Sequence, residues 1–189
     1  MKRTALLSVL LLLVTVPAFA ENPRNYATLK LGAYLPQADD MDNFNDGFNV
    51  EVAVGQYINP NVAVDFSFGY LKSNGSALGV SGQVRAFPAL LSIKGVLPVS
   101  SAELYVLVGG GVYFTDAQVS SLGITDSVSD ITSGFQAGVG GNVNLSGNVF
   151  LGVEGKYFWS YPEWSFTGID STKVHIDGIQ ATANIGYRF

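Results

Sequence analysis

The chain of 189 residues contains no cysteine and one histidine, His175. No disulfide framework and no thiolate metal site can be built from it, and nitrogen and sulfur ligands for zinc are essentially absent. Charge is scarce too: 13% of residues are charged, against a usual share of about 25%. The balance is acidic, ten Lys and Arg against fifteen Asp and Glu, which gives no electrostatic case for a nucleic-acid partner. After residue 20 no apolar run is long enough for a spanning helix, which leaves a closed barrel as the way to cross a membrane.

What is present points the same way. Lys2 and Arg3, the apolar run Ala5 to Val16 and the small residues of Pro17-Ala18-Phe19-Ala20 read as a cleavable signal peptide over residues 1–20. No cysteine follows it to make a lipoprotein. Residues 21–189 are then expected to form one domain, with the basic residues reduced from ten to eight by loss of Lys2 and Arg3. Gly, Phe and Tyr are plentiful at 22, 12 and 9.

The last fourteen residues alternate. Ile179, Ala181, Ala183, Ile185, Tyr187 and Phe189 fall on one face of a strand; Gly178, Gln180, Thr182, Asn184, Gly186 and Arg188 fall on the other. Seven further segments repeat the pattern: 26–35, 48–58, 62–72, 81–96, 103–115, 132–145 and 149–161. Long acidic or Ser-rich connections at 36–47, 73–79, 116–130 and 162–174 alternate with short turns at Asn59, Val99 and Ser146. The expected fold is all-β: an eight-stranded antiparallel up-and-down transmembrane barrel. A soluble barrel would invert the faces. Aromatics near strand ends (Tyr26, Phe66, Phe68, Tyr70, Tyr157, Trp159, Tyr161, Tyr187, Phe189) and charges in mid-strand favour the membrane.

Alternation assigns an inward set of charges: Lys30, Glu51, Asp65, Arg85, Lys94, Glu154, Lys156 and Arg188, with Glu103 undecided. Arg85 and Lys94 share a face only if a bulge at Pro88 shifts the phase. Mixed signs inside a narrow barrel predict a salt-bridge network, because lone buried charges are costly. Leu71, Phe87, Tyr113 and Phe158 could line an apolar upper lumen. An eight-stranded interior holds side chains or one small ligand, which argues against a general pore.

Other chemistry is weak. The glycines at 109–111 and at 138, 140 and 141 lack the helix that a phosphate loop requires. His175, with Ser171, Thr172 and Asp177 nearby, does not fill the roles of a catalytic site, so no enzyme is expected. Asp39, Asp40, Asp42 and Asp46 have no EF-hand spacing. No metal and no cofactor is expected.

The final strand, ending on Phe189, resembles the C-terminal strand of bacterial outer-membrane proteins. Leu29-Lys-Leu-Gly-Ala-Tyr-Leu-Pro36 resembles the first strand of OmpW-like proteins. Asn59-Pro-Asn-Val-Ala-Val-Asp65 and Leu104 to Phe114 resemble stretches common to the small OmpA/OmpX/OmpW-like barrels. The resemblance implies an outer-membrane location with both termini periplasmic. It also implies contact with outer-membrane lipids and Phe189 as the signal read by the barrel-assembly machinery. It implies, finally, a conduit for small apolar molecules, with a surface-interaction or envelope-structural barrel as the alternative.

Overall fold

The computed structural model describes residues 25–37, 45–77, 80–121, 124–161, 163–164, 172–173 and 176–189. Its strands are β1 (Asn25–Pro36), β2 (Gly47–Asn59), β3 (Val62–Ala77), β4 (Val80–Val99), β5 (Ala102–Ser121), β6 (Ile124–Ser146), β7 (Val149–Ser160), β8 (Glu163–Trp164), β9 (Thr172–Lys173) and β10 (Gly178–Arg188). Eight of them close a barrel in the order β1-β10-β7-β6-β5-β4-β3-β2; β8 and β9 pair as a separate two-stranded hairpin. Every pairing is antiparallel.

The register sets the dimensions. From Tyr26 the pairings lead through Gly55, Asp65, Ser92, Gly109, Gln136, Phe158 and Gly178 back to β1, at Pro36. The offset of ten residues is the shear; with eight strands it gives a tilt of about 40° and a radius of about 8 Å. Such a cylinder has room inside for side chains only. Tight turns close one end: Ser100 and Gly147 take φ of 53° and 57° there. The other end has the two longer connections, 37–46 and 161–177, and the two-residue links 78–79 and 122–123.

Burial fixes the faces. Lys30, Glu51, Asp65, Lys94, Glu154 and Lys156 are each no more than 6% exposed, whereas Val52, Leu91, Val106, Phe135, Val139 and Val153 are all at least half exposed. The apolar face is the outer one, as a lipid-facing wall requires. Tyr26 departs from the expected aromatic belt: it is 4% exposed and faces the lumen, because it shares its parity with Lys30.

Two expected loops are ladder instead. β3 and β4 stay paired to Ala77↔Val80, and β5 and β6 to Ser121↔Ile124. Ser and Asp suggested loops in 73–79 and 116–130. Yet an exposed polar face does not prevent pairing when the neighbouring strand satisfies the backbone. One side of the barrel, β3 to β6, therefore stands taller than the other.

Pro88 does not shift the phase. The β3–β4 ladder runs from Val62↔Gly95 to Phe68↔Ala89, skips two residues on each strand, and resumes at Leu71↔Ala86 in the same register. Gly69 lies opposite Pro88, where an added Cβ would come within 3.1 Å of the proline Cγ. The glycine makes room for the ring, so no bulge is needed. Arg85 and Phe87 accordingly lie on the outer face, and Phe87 packs against the outward Tyr70 ring at 5.1 Å.

Candidate functional site

The lumen holds the largest concentration of chemistry, stacked in layers. At the short-turn end Arg188 Nη2 lies 2.8 Å from Glu103 Oε2, which also accepts from the Tyr57 hydroxyl at 2.8 Å. The same guanidinium donates to Asn144 and sits 4.5 Å from the centre of the Phe150 ring. Next, Lys94 pairs with Asp65 at 2.5 Å and lies 4.9 Å from the centre of the Tyr105 ring. The Tyr26 hydroxyl donates to Asp65 at 3.3 Å.

Above these, Lys30 bridges Glu51 at 2.7 Å and Glu154 at 2.8 Å. Lys156 pairs with Glu51 and lies 3.8 Å from Glu154. The Tyr105 hydroxyl donates to Glu154 at 2.9 Å. Lys30, Lys94 and Lys156 thus balance Glu51, Asp65 and Glu154. A neutral, mutually bonded set is what makes charges tolerable at this depth. Two amide contacts follow, Gln136 to Ser92 at 2.9 Å and Asn49 to Gln180 at 3.0 Å.

Towards the longer connections the described interior is filled by an apolar cluster. Tyr34 and Tyr113 each pack on Phe158 with ring centres 5.5 Å apart, and Leu71, Leu90, Ala86 and Ile176 complete the cluster. Tyr34, Tyr113 and Phe158 have no exposure at all. Tyr113 fits because Gly134 leaves space beneath its ring. A small space among Tyr26, Lys30, Lys94, Tyr105 and Phe150 measures only about 10 Å³. That is at the lower limit for one water.

A filled, charge-balanced lumen inside an apolar wall, closed by ladders all round, is the architecture of a membrane barrel that spans by its strands. The chain belongs to the outer membrane protein beta-barrel domain family, which matches residues 6–189. Membership supports a location in the bacterial outer membrane, among its lipids. Solved barrels share the fold at low identity. OprG from Pseudomonas aeruginosa is 13% identical with a TM-score of 0.60, over 89% of this chain and 97% of that one. Neisserial surface protein A is 15% identical with a TM-score of 0.59, over 87% and 97%. A major outer membrane protein of Thermus thermophilus is 13% identical with a TM-score of 0.57, over 88% and 98%. No curated protein sequence matches the chain.

Of the residues singled out from the sequence of this family member, the structure brings Lys30, Glu51, Glu154 and Lys156 into one ion-pair network, and Tyr105 links the Lys94–Asp65 pair to it. Arg188 is inward but separate, paired with Glu103 at the turn end. Arg85 belongs to neither; its Nε donates to Gln83 at 2.6 Å on the outer face. Leu71, Tyr113 and Phe158 meet as a packed cluster, and Phe87 lies outside the barrel wall from them. Phe189 is exposed, and its backbone exchanges hydrogen bonds with Asn25 at 2.9 and 3.1 Å.

Asp177 accepts from the Ser160 backbone N–H at 3.1 Å. His175, Ser171, Asp39, Asp40, Asp42 and residues 1–20 lie outside the described residues, as does the side chain of Thr172. Among the described residues no group of acids or histidines could hold a metal. Sequence reasoning passed over Tyr34, Leu90 and Ile176 in the cap, and the tyrosines that donate to the network. Parity with Lys30 would have found Tyr26 and Tyr34.

Proposed function

We propose that this protein is a closed, non-enzymatic outer-membrane barrel that acts through the surfaces at its longer connections. On this reading it is not a conduit through its lumen. The supporting observation is the interior, where salt bridges, amide contacts and then an aromatic cluster fill successive levels. A conduit for small apolar molecules needs an open apolar pocket; the residues that could line one, Leu71, Tyr113 and Phe158, pack on each other instead. The taller side, β3 to β6, offers a paired, polar extension beyond the apolar wall. In this reading residues 1–20 are removed on export, both termini face the periplasm, Phe189 serves assembly, and the extension stands outside the cell.

The test uses two measurements, one on cells and one on the purified protein. The first replaces residues 117–128 by a tight turn, which should abolish an adhesion or surface-binding phenotype. Heat-modifiable migration on gels should survive, because the spanning ladder is intact. The second reconstitutes the whole barrel in planar bilayers, where no steady single-channel current is expected. A stable current, or uptake of a small apolar compound lost on Phe158→Asp, would restore the conduit.

A further inference from the structure

The outer wall carries almost no charge. Among the barrel-strand residues whose side chains are described, only Lys72, Arg85 and Asp116 are charged and point outward, and they stand in one row. Lys72 pairs in register with Arg85, and Arg85 with Asp116. Like charges directly opposite on neighbouring strands repel. Within the described residues neither cation forms an ion pair; Arg85 engages only Gln83. Asp116, in register with Arg85, takes the Ser129 hydroxyl at 2.5 Å instead of pairing with it.

Position explains the tolerance. The neighbouring outward row towards the membrane is aromatic: Tyr70 packs on Phe87, and Phe87 pairs in register with Phe114. Phe48 lies beside Lys72 in the cation row itself. These rings form the border of the apolar wall, where aromatic side chains meet headgroups. Strand tilt raises successive strands of one row by about 3 Å each, so Lys72 lies deepest, Arg85 next, and Asp116 furthest from the membrane. The two cations therefore hang at headgroup depth, with the carboxylate of Asp116 above them.

We propose that Lys72 and Arg85 form a binding site for the phosphate of a lipid headgroup, with the lipid's chains lying along Tyr70 and Phe87. A guanidinium and an ammonium together match one phosphate in charge and in hydrogen-bond donors. A lipid phosphate is favoured over a soluble polyanion because the cations are continuous with the aromatic border. The inference rests on the membrane-spanning wall and is independent of whether the lumen conducts.

The test is native mass spectrometry of the full barrel in a neutral detergent. Probes are diphosphoryl lipid A and the same lipid with both phosphates removed. The wild type should retain the phosphorylated lipid, and Lys72→Gln with Arg85→Gln should weaken retention about thirtyfold, at about 1 kcal/mol for each surface cation. Asp116→Asn should strengthen it. Without lipid, the double variant should be at least as stable as the wild type, since it loses a repulsion. A merely structural pair would instead lose stability. Equal retention of both lipids by the wild type would overturn the site, as would unchanged retention by the folded double variant. Preference for a heparin oligosaccharide over lipid A, abolished by the same substitutions, would overturn it in favour of a soluble polyanion.

Discussion

Lys30 and Lys72 stand on the two faces of one wall. Lys30 is 3% exposed and has carboxylates at 2.7 and 2.8 Å. Lys72 is half-buried on the outer face, faces another cation in register, and has no ion pair among the described residues. The difference is the solvent available to each. Inside, no water replaces a missing partner, so each charge must be matched by another side chain. At the membrane border, water and headgroups supply the partner, so the chain need not encode one. The inner charges therefore read as structure, and the outer ones as recognition.

Substitutions can break that contrast at its strong end first. Glu154→Leu removes the acceptor of Lys30 and Tyr105 and leaves the network with one cation too many. A loss of about 3–5 kcal/mol is expected in urea unfolding from detergent micelles. Adding Lys30→Met should recover most of it, because the pair then leaves together. If the single change costs less than about 1 kcal/mol, buried and exposed charges do not differ as argued. Phe158→Ala comes next, at about 3 kcal/mol for the cavity it opens between Tyr34 and Tyr113. Planar-bilayer recordings of that variant should stay silent, because the charge layers below it are untouched.

Arg188→Gln is expected to be intermediate. Its pair with Glu103 is only partly buried, and a loss of about 1–2 kcal/mol in the same unfolding assay follows from one charge-assisted contact. At the weak end, Lys72→Gln should change stability in neutral detergent by no more than about 0.5 kcal/mol either way. A larger loss there would mean that the outer row is part of the scaffold.

Much of this was legible in the sequence. Alternation places Lys30, Glu51, Asp65, Glu154 and Lys156 on one face whatever their partners, because strand parity is a local property. Who pairs with whom was not legible: Lys30 reaches Glu154 past the intervening β10, and that depends on the shear, which no single strand reveals. Arg85 and Phe87 were misplaced because proline in a strand signals a bulge. The accommodation by Gly69 is a cross-strand fact, invisible within β4. The extensions of β3 to β6 were hidden by their serines and aspartates, residues that favour turns in isolation but tolerate a strand whose backbone is already paired. The closed cap was missed for a related reason. Tyr113 and Phe158 were identifiable as inward, but only the register shows that they stack on each other.

The seam between β1 and β10 carries a consequence for how the molecule is made. Seven of the eight barrel pairings join strands that follow one another around the chain, and each can form as a hairpin or across one connection. The eighth joins the first strand to the last, from Tyr26↔Arg188 to Pro36↔Gly178. Its contacts lie far apart in sequence, so their loop-closure entropy falls on a single late event while the other contacts remain nearly local. A cylinder built this way has one slow joint. Until that joint shuts, β1 and β10 are the edges at which a second chain could insert and turn a monomer into an exchanged dimer.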